Sequence, residues 1–317
     1  MKSTAVAHSI QGLIKYHGLK DQKKRLPFHN SISVCVDSLT TTATVEFGNQ
    51  FEKDTAKING AEANFNEAAR ILAVVDPLRK MAKTKAHYAL TSQNSILQGK
   101  GLGFSASAFA AISLATAAAL NLNLPLERLS EFARLGAGSA SRSLVGGFSI
   151  WYAMRGGRSY ARQLASEEQL RFAMGVIPVA SEVKTDRAHE ESVSSPFFNV
   201  RLTEVRSALP KMLHAIKSAN IDQICRLAEI ESLSLHAVTM TGKDGLILMS
   251  PETIRIIKRV LELRHQHLPV WYSLDTGPSV YLNTYPEYLE EVCRDIEKNV
   301  GIKVIRSEVG GAARLIA

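Results

Sequence analysis

A short glycine-rich run, Gly99-Lys100-Gly101-Leu102-Gly103, opens directly onto a segment of mostly small side chains, SASAFAAISLATAAAL over 105–120. Alanine is the strongest helix former, and a helix clothed in alanine and serine lets neighbouring backbone come close, so the segment predicts a tightly packed helix. A glycine-rich loop entering a helix also makes an anion cradle, because its free N–H groups and the helix dipole both present positive charge. No GK[ST] closes the loop, which excludes a Walker A site, and no strand-GxGxxG-acid pattern marks a dinucleotide fold. Taken alone, close helix packing explains the glycines almost as well as an anion does.

Around this segment the chain alternates between strand and helix patterns. Thr4–Ala7, Gly12–Ile14, Ser31–Val36 and Thr40–Phe47 read as strands of a largely antiparallel sheet, and Ala86–Ser92 as another. Helical spacing covers 62–85 and Leu124–Leu135, and a strand is expected over Arg171–Val179. The pattern from 197 to 237 is helical, a helix over Pro251–His265 is opened by Ser250 and Pro251, and the end reads β-α-β over Val270–Leu274, Tyr285–Asn299 and Lys303–Ser307. A length of 317 residues suits two domains, with a boundary near 175: a first unit over 1–175 that carries the glycine-rich loop and a second over 176–317.

Composition narrows the partners. At 45% hydrophobic and 21% charged residues the chain is ordinary globular material, which excludes disordered and low-complexity scaffolds. Lys+Arg exceed Asp+Glu by 38 to 30, and the resulting +8 favours an anionic partner: a phosphorylated small molecule, a nucleic acid or a membrane surface. Cys35, Cys225 and Cys293 form no CxxC pair or metal-ligand spacing and read as reduced, buried thiols. With no stretch of about 18 uncharged apolar residues and no signal-like start, a cytoplasmic protein without membrane association is expected.

Several residues could carry chemistry. Ser139-Ala140-Ser141-Arg142-Ser143 sets a guanidinium among hydroxyls and glycines, a setting for bidentate binding of a carboxylate or phosphate, although a surface arginine at a helix start reads equally well. Lys15-Tyr16 follows an apolar strand and presents either an ammonium at a cleft or an ordinary strand end. Asp275, in Ser273-Leu274-Asp275-Thr276-Gly277-Pro278, stands at the end of another strand, where capping a turn is the simpler role. His189, His236, His265 and His267 lack metal spacing and read as surface or core histidines.

Taken in order, these segments resemble the mevalonate-phosphate decarboxylase branch of the GHMP kinase superfamily over nearly the whole chain. The matching pieces are Gly12–Gly18, Leu26–Val34, the Gly101–Phe109 loop and helix, Ser139–Phe148 and Asp275–Ser279. Lys15–Leu19, Ser232–Gly242 and Glu308–Gly311 look most like the archaeal type, which acts on a C5 monophosphate. The resemblance implies an α+β, two-lobed fold, with a ribosomal-protein-S5-like N-terminal lobe, a ferredoxin-like C-terminal lobe and the site in the cleft between them. It implies a carboxy-lyase in which Asp275 stands beside C3 and Lys15, Arg142, Tyr16, Ser139 and Ser141 bind the anionic ends of the substrate. Lys100 and Ser105 would bind phosphate from the loop, and a small anionic substrate, no nucleic acid and no metal are expected; a homodimer is admitted.

One departure bears on the cofactor. Where the family pattern has two consecutive serines after the glycines, this chain reads Gly103-Phe104-Ser105, and a phenylalanine cannot donate to a phosphate oxygen. The resulting expectation is decarboxylation of mevalonate 3,5-bisphosphate to isopentenyl phosphate without ATP. The alternative is an ATP- and Mg2+-dependent decarboxylase of mevalonate 5-phosphate, with Gly101, Gly103, Ser105 and Ser107 at the nucleotide. A diphosphomevalonate decarboxylase and a kinase that stops at C3 phosphorylation rank below these. A basic RNA-binding protein would account for the charge but not for Asp275 or Arg142.

Overall fold

The computed structural model describes residues 1–96, 102–180, 183 and 185–316. Its organising pair is β1 (Lys2–Ile14) and, beyond the small hairpin of β2 (Leu19–Asp21) and β3 (Leu26–Pro27), the long strand β4 (Ser31–Gly48). The two run antiparallel from Lys2 opposite Glu46 to Ile14 opposite Ile32. The four short strands expected in this region are therefore two long ones. The break read around Asp37–Leu39 is a register shift beside His8 and Ser9, in which extra residues bulge out and the strand continues.

The first half continues with β5 (Thr55–Ile58), β6 (Ala61–Glu62), α1 (Phe65–Met81), β7 (His87–Asn94), α2 (Phe104–Ala119), α3 (Leu126–Gly136), α4 (Ala140–Val145), β8 (Phe148–Arg155) and β9 (Arg158–Ala165). β4 is long enough to pair with β7 along its C-terminal part and with β8 along its N-terminal part. Asn64 starts α1 with a capping box closed by Glu67. The alanine-rich helix is α2, and it is buried nearly all round, from Ala106 to Ala119, as a helix without a polar face must be. The β8–β9 hairpin was not anticipated from the sequence; Gly156 and Gly157, both at positive φ, make its turn.

The second half comprises β10 (Ala173–Ile177), α5 (Thr185–Ser194), α6 (Phe198–Lys217), α7 (Ile221–Met240), α8 (Pro251–His265), β11 (Val270–Leu274), β12 (Val280–Thr284), α9 (Leu289–Asn299) and β13 (Ile305–Glu308). The single helical stretch expected over 197–237 is two helices, broken at Ser218–Asn220 where Ala219 turns to φ +50°. α5 and β12 were also unanticipated; β12 is buried along its whole length, so it shows no alternation. The sheet order β11-β12-β10-β13, all antiparallel, is the ferredoxin-like arrangement of a βαββαβ unit, and the α+β class expected from the sequence is the one observed. β14 (Arg314–Ile316) returns to the first sheet and pairs with β1.

A central core joins the halves. Leu13 and Ile14 at the end of β1 pack in one cluster with Met174 and Val176 of β10, Val205 of α6 and Ile224 of α7. The end of β1 is thus delivered, fully buried, against the helices of the second half.

Gly146 shows how tight the first half is: it sits at φ +72°, and a Cβ there would lie 2.1 Å from the Ala312 backbone nitrogen. Gly146→Ala is expected to destabilise the protein by about 2 kcal/mol or more, measured by urea unfolding at unchanged m-value. Wild-type stability in that variant would show that the Ala312 segment gives way.

Candidate active site

β1 ends at Ile14, and the next residues carry the first charged group of the site. The Lys15 side chain is only 4% exposed, and its Nζ donates to Ser232 Oγ and Ser273 Oγ at 3.2 Å each and to the Ala228 carbonyl at 3.4 Å. Burial lowers its pKa to about 8, against the raising effect of Asp275 and Glu231.

Asp275 follows β11 directly. Its carboxylate reaches back across the chain to accept the Gly12 N–H at 3.1 Å (Oδ1) and 3.3 Å (Oδ2), so the simple reading of a turn cap gives way to a contact between the two halves. Burial pushes its pKa up, while Lys15, the Gly12 N–H and Arg142 act the other way. The contact requires glycine: a Cβ on Gly12 would fall 2.7 Å from Lys15 Cγ and 2.9 Å from Asp275 Oδ1.

Arg142 is not a surface arginine. It is 2% exposed, donates through Nη1 to Ser31 Oγ, and lies over the rings of Tyr16 and Trp151 at 5.6 and 5.8 Å. Burial lowers its pKa to about 10, and the aromatic faces offset part of the cost of holding a cation there. Tyr16 in turn meets Trp151 edge-on at 5.1 Å and stacks on His189 at 4.8 Å.

Lys15, Tyr16, Ser139, Arg142 and Asp275 all line one cavity of about 1170 Å³. The same cavity is lined by Gly103 together with Phe104 and Ser105 at the start of α2, and by Asn66 and Arg70 on α1. Two expected hydroxyls are engaged elsewhere: buried Ser141 donates to the Gly138 carbonyl at 2.7 Å, and buried Ser107 lies 2.7 Å from Thr41 Oγ1 and donates to the Phe104 carbonyl. Lys100 and Gly101 lie outside the described residues.

Behind Lys15 stand Arg201 and Glu231, which the sequence did not single out, and His236, read there as a surface or core histidine. Arg201 on α6 and Glu231 on α7 form a buried ion pair at 3.1 Å, and His236 donates from Nε2 to the Asp275 carbonyl at 3.1 Å. A carbonyl only accepts, so His236 is the Nε2–H tautomer; burial lowers its pKa to about 4 and keeps it neutral. His189 is likewise buried, whereas His265 and His267 are exposed. The signal available for Glu231 and Arg201 was weak, since a charge on an amphipathic helix ordinarily faces water. Cys35, Cys225 and Cys293 are buried free thiols. Among the described residues no group of three or more His, Cys, Asp or Glu could hold a metal, and no helix is long and apolar enough to cross a membrane.

Comparison with known proteins gives this arrangement a context. Residues 7–161 match the family model described as the diphosphomevalonate decarboxylase-like N-terminal domain, and residues 183–310 that of the mevalonate 5-diphosphate decarboxylase C-terminal domain. The chain is 38% identical to the phosphomevalonate decarboxylase of Haloferax volcanii, covering 100% of this chain and 98% of that one. It is 25% identical to the mevalonate 3,5-bisphosphate decarboxylase of Thermoplasma acidophilum, over 92% of this chain and 72% of the relative. A solved structure of the Enterococcus faecalis mevalonate diphosphate decarboxylase, described for its ATP binding, superposes with a TM-score of 0.90 at 27% identity, covering 100% of this chain and 99% of that one.

Burial of Lys15 predicts a stability signature. Its folded-state pKa is about 8 against an ordinary 10.5, so between those values the unfolded chain holds the extra proton and stability rises with pH. Relative to Lys15→Met, the wild type is expected to gain on the order of 3 kcal/mol across this window, read from denaturation at stepped pH. Parallel stability curves for the two proteins would show that Lys15 titrates normally.

Proposed function

This chain belongs to the diphosphomevalonate decarboxylase-like family of mevalonate-pathway carboxy-lyases, and we propose that it converts mevalonate 5-phosphate and ATP into isopentenyl phosphate, CO2, ADP and phosphate. The observation that carries this reading is the volume and the lining of the cavity. At about 1170 Å³ it exceeds the roughly 300–1,000 Å³ usual for a small-molecule site, and its lining includes Gly103, Phe104 and Ser105 of the α2 start and Asn66 and Arg70 of α1 as well as Asp275 and Arg142. Phe104 is half-buried, packs partly against the central core and also lines the cavity. The 38% identity to a phosphomevalonate decarboxylase supports the same substrate.

In this reading Asp275 lies beside C3. A carboxylate whose pKa is raised by burial is suited to taking the C3 hydroxyl proton as the phosphoryl group arrives; after handing that proton to the new C3 phosphate it is again anionic and stabilises the positive charge that develops at C3 as the phosphate leaves. ATP, carried with Mg2+, supplies the phosphoryl group that makes the C3 oxygen a leaving group. Loss of that phosphate and of CO2 leaves the electron pair of the broken carbon–carbon bond as the new double bond. Lys15 and Arg142 hold the anionic ends of the substrate, Tyr16 and Ser139 orient them, and Gly103 and Ser105 face the nucleotide. Lys100 and Gly101, outside the described residues, are assigned to phosphate by the family resemblance alone.

A second reading keeps the same residues but takes mevalonate 3,5-bisphosphate as substrate and uses no ATP. The specific observation in its favour is Phe104, which supplies no donor at the start of α2. The assay that separates the two supplies the purified protein with mevalonate 5-phosphate plus Mg-ATP, or with mevalonate 3,5-bisphosphate and no nucleotide. CO2 and ADP released in equal amounts from the first mixture are expected. CO2 from the second mixture alone would replace this proposal with the second reading.

Arg142→Lys keeps the charge but loses the planar fork, and turnover is expected to fall about 100-fold with the fold intact by circular dichroism. Turnover near wild type would remove Arg142 from the site.

A further inference from the structure

Lys15 lies just past the last β1–β4 pair, Ile14 opposite Ile32, so the sheet does not hold its peptide group. Two side chains hold it instead. Glu231 Oε2 accepts the Lys15 N–H at 3.0 Å, and Arg201 Nη2 donates to the Lys15 carbonyl at 2.9 Å. The same Nη2 donates to Glu231 Oε2 at 3.1 Å, and Nη1 donates to Ser234 Oγ at 2.8 Å. The ion pair thus closes around a single residue of the other half of the chain.

The helix that carries Glu231 also grips the rest of the site. Ser232 Oγ accepts from Lys15 Nζ at 3.2 Å and from the Leu274 N–H at 2.9 Å, and His236 holds the Asp275 carbonyl. Ala228, Glu231, Ser232 and His236 fall on one face of α7 by helical spacing. A rigid helix therefore holds both Lys15 and the Asp275 backbone.

A buried ion pair is a poor device for stability alone, because desolvating both charges cancels much of their attraction. Its geometry here serves one peptide. We propose that Glu231, together with Arg201, is a positioning residue that sets the Lys15 ammonium against Asp275 for the reaction. This rests on the roles given to Lys15 and Asp275 above.

The charges facing Lys15 support a distinct readout. Asp275 and Glu231 favour its protonated form, Arg201 opposes it, and His236 is neutral. Neutralising Glu231 therefore lowers the pH at which Lys15 loses its proton, and the alkaline limb of activity moves toward acid.

The test measures kcat, KM and pH profiles for wild type, Lys15→Met, Glu231→Gln and Arg201→Lys, with folding followed by near-ultraviolet circular dichroism. Glu231→Gln is expected to lower kcat by about 10- to 100-fold with little change in KM. Its alkaline limb should shift acidward by about one pH unit. Arg201→Lys keeps the charge and loses the fork, so its kcat falls while the limb stays in place. Folded Glu231→Gln with a wild-type kcat, or with an unmoved limb, overturns the proposal. If Glu231→Gln does not fold, a wild-type kcat in Arg201→Lys overturns it, as does failure of both variants to fold, since the pair would then be needed for the fold itself. Full turnover by Lys15→Met would instead sink the role of Lys15, whatever the other variants do.

Discussion

The Asp275 carboxylate rests on the Gly12 N–H, a hydrogen bond between residues 263 positions apart, and most of the site follows from that contact. It requires β1 to arrive buried from one half and β11 from the other. It also requires the strand to carry no side chain where they meet, because a Cβ on Gly12 would displace either Lys15 or Asp275. The central core, with Leu13 and Ile14 among residues of β10, α6 and α7, brings the two ends to this point. Hydrophobic burial is non-directional, so the core sets the approach and the polar contacts set the register.

The charge balance at the junction explains what such a site is suited to hold. Lys15, Arg142 and Arg201 are buried cations, set against the carboxylates of Glu231 and Asp275. The cavity lining itself carries Lys15, Arg25, Arg70 and Arg142 against Glu67 and Asp275, which leaves it cationic before any ligand enters. Burial lowers the pKa of Lys15 to about 8 and of Arg142 to about 10, which marks the cost of keeping these charges out of water. An anionic ligand relieves that cost, and its carboxylate and phosphate groups are matched by an ammonium and a planar fork. The aromatic surfaces of Tyr16 and Trp151 hold the fork at one orientation without neutralising it.

The sequence made the site residues legible in groups but not their partners. Lys15, Arg142 and Asp275 could be picked out because each sits in a short, chemically unusual string at the end of an apolar segment, and those strings stand in a recognisable order. Ser141 and Ser107 could not be told from Ser139 and Ser105, since which way a hydroxyl points depends on helix phase; in the fold the first two donate to the Gly138 and Phe104 carbonyls. Glu231 and Arg201 were invisible for a different reason. A charge on a helix is read as solvated unless something known to lie opposite needs it, and what lies opposite is a peptide group in the other half of the chain.

The same division applies to the fold. Local pattern alone determined α2, because its alanine-rich composition is helical wherever it is placed, and it determined α8, whose Ser250 and Pro251 form a start signal complete within four residues. Local pattern also determined that Thr4–Ala7, Gly12–Ile14, Ser31–Val36 and Thr40–Phe47 are extended. Only the tertiary structure decided that these form two long strands with a bulge, that β12 is a strand at all, and that Asp275, Phe104 and residues of α1 line one cavity. Capping and helix propensity act between near neighbours in sequence and can be read there. Register, burial on both faces and the shape of a cavity arise between segments from about ten to more than two hundred residues apart, and they exist only once the chain has closed on itself.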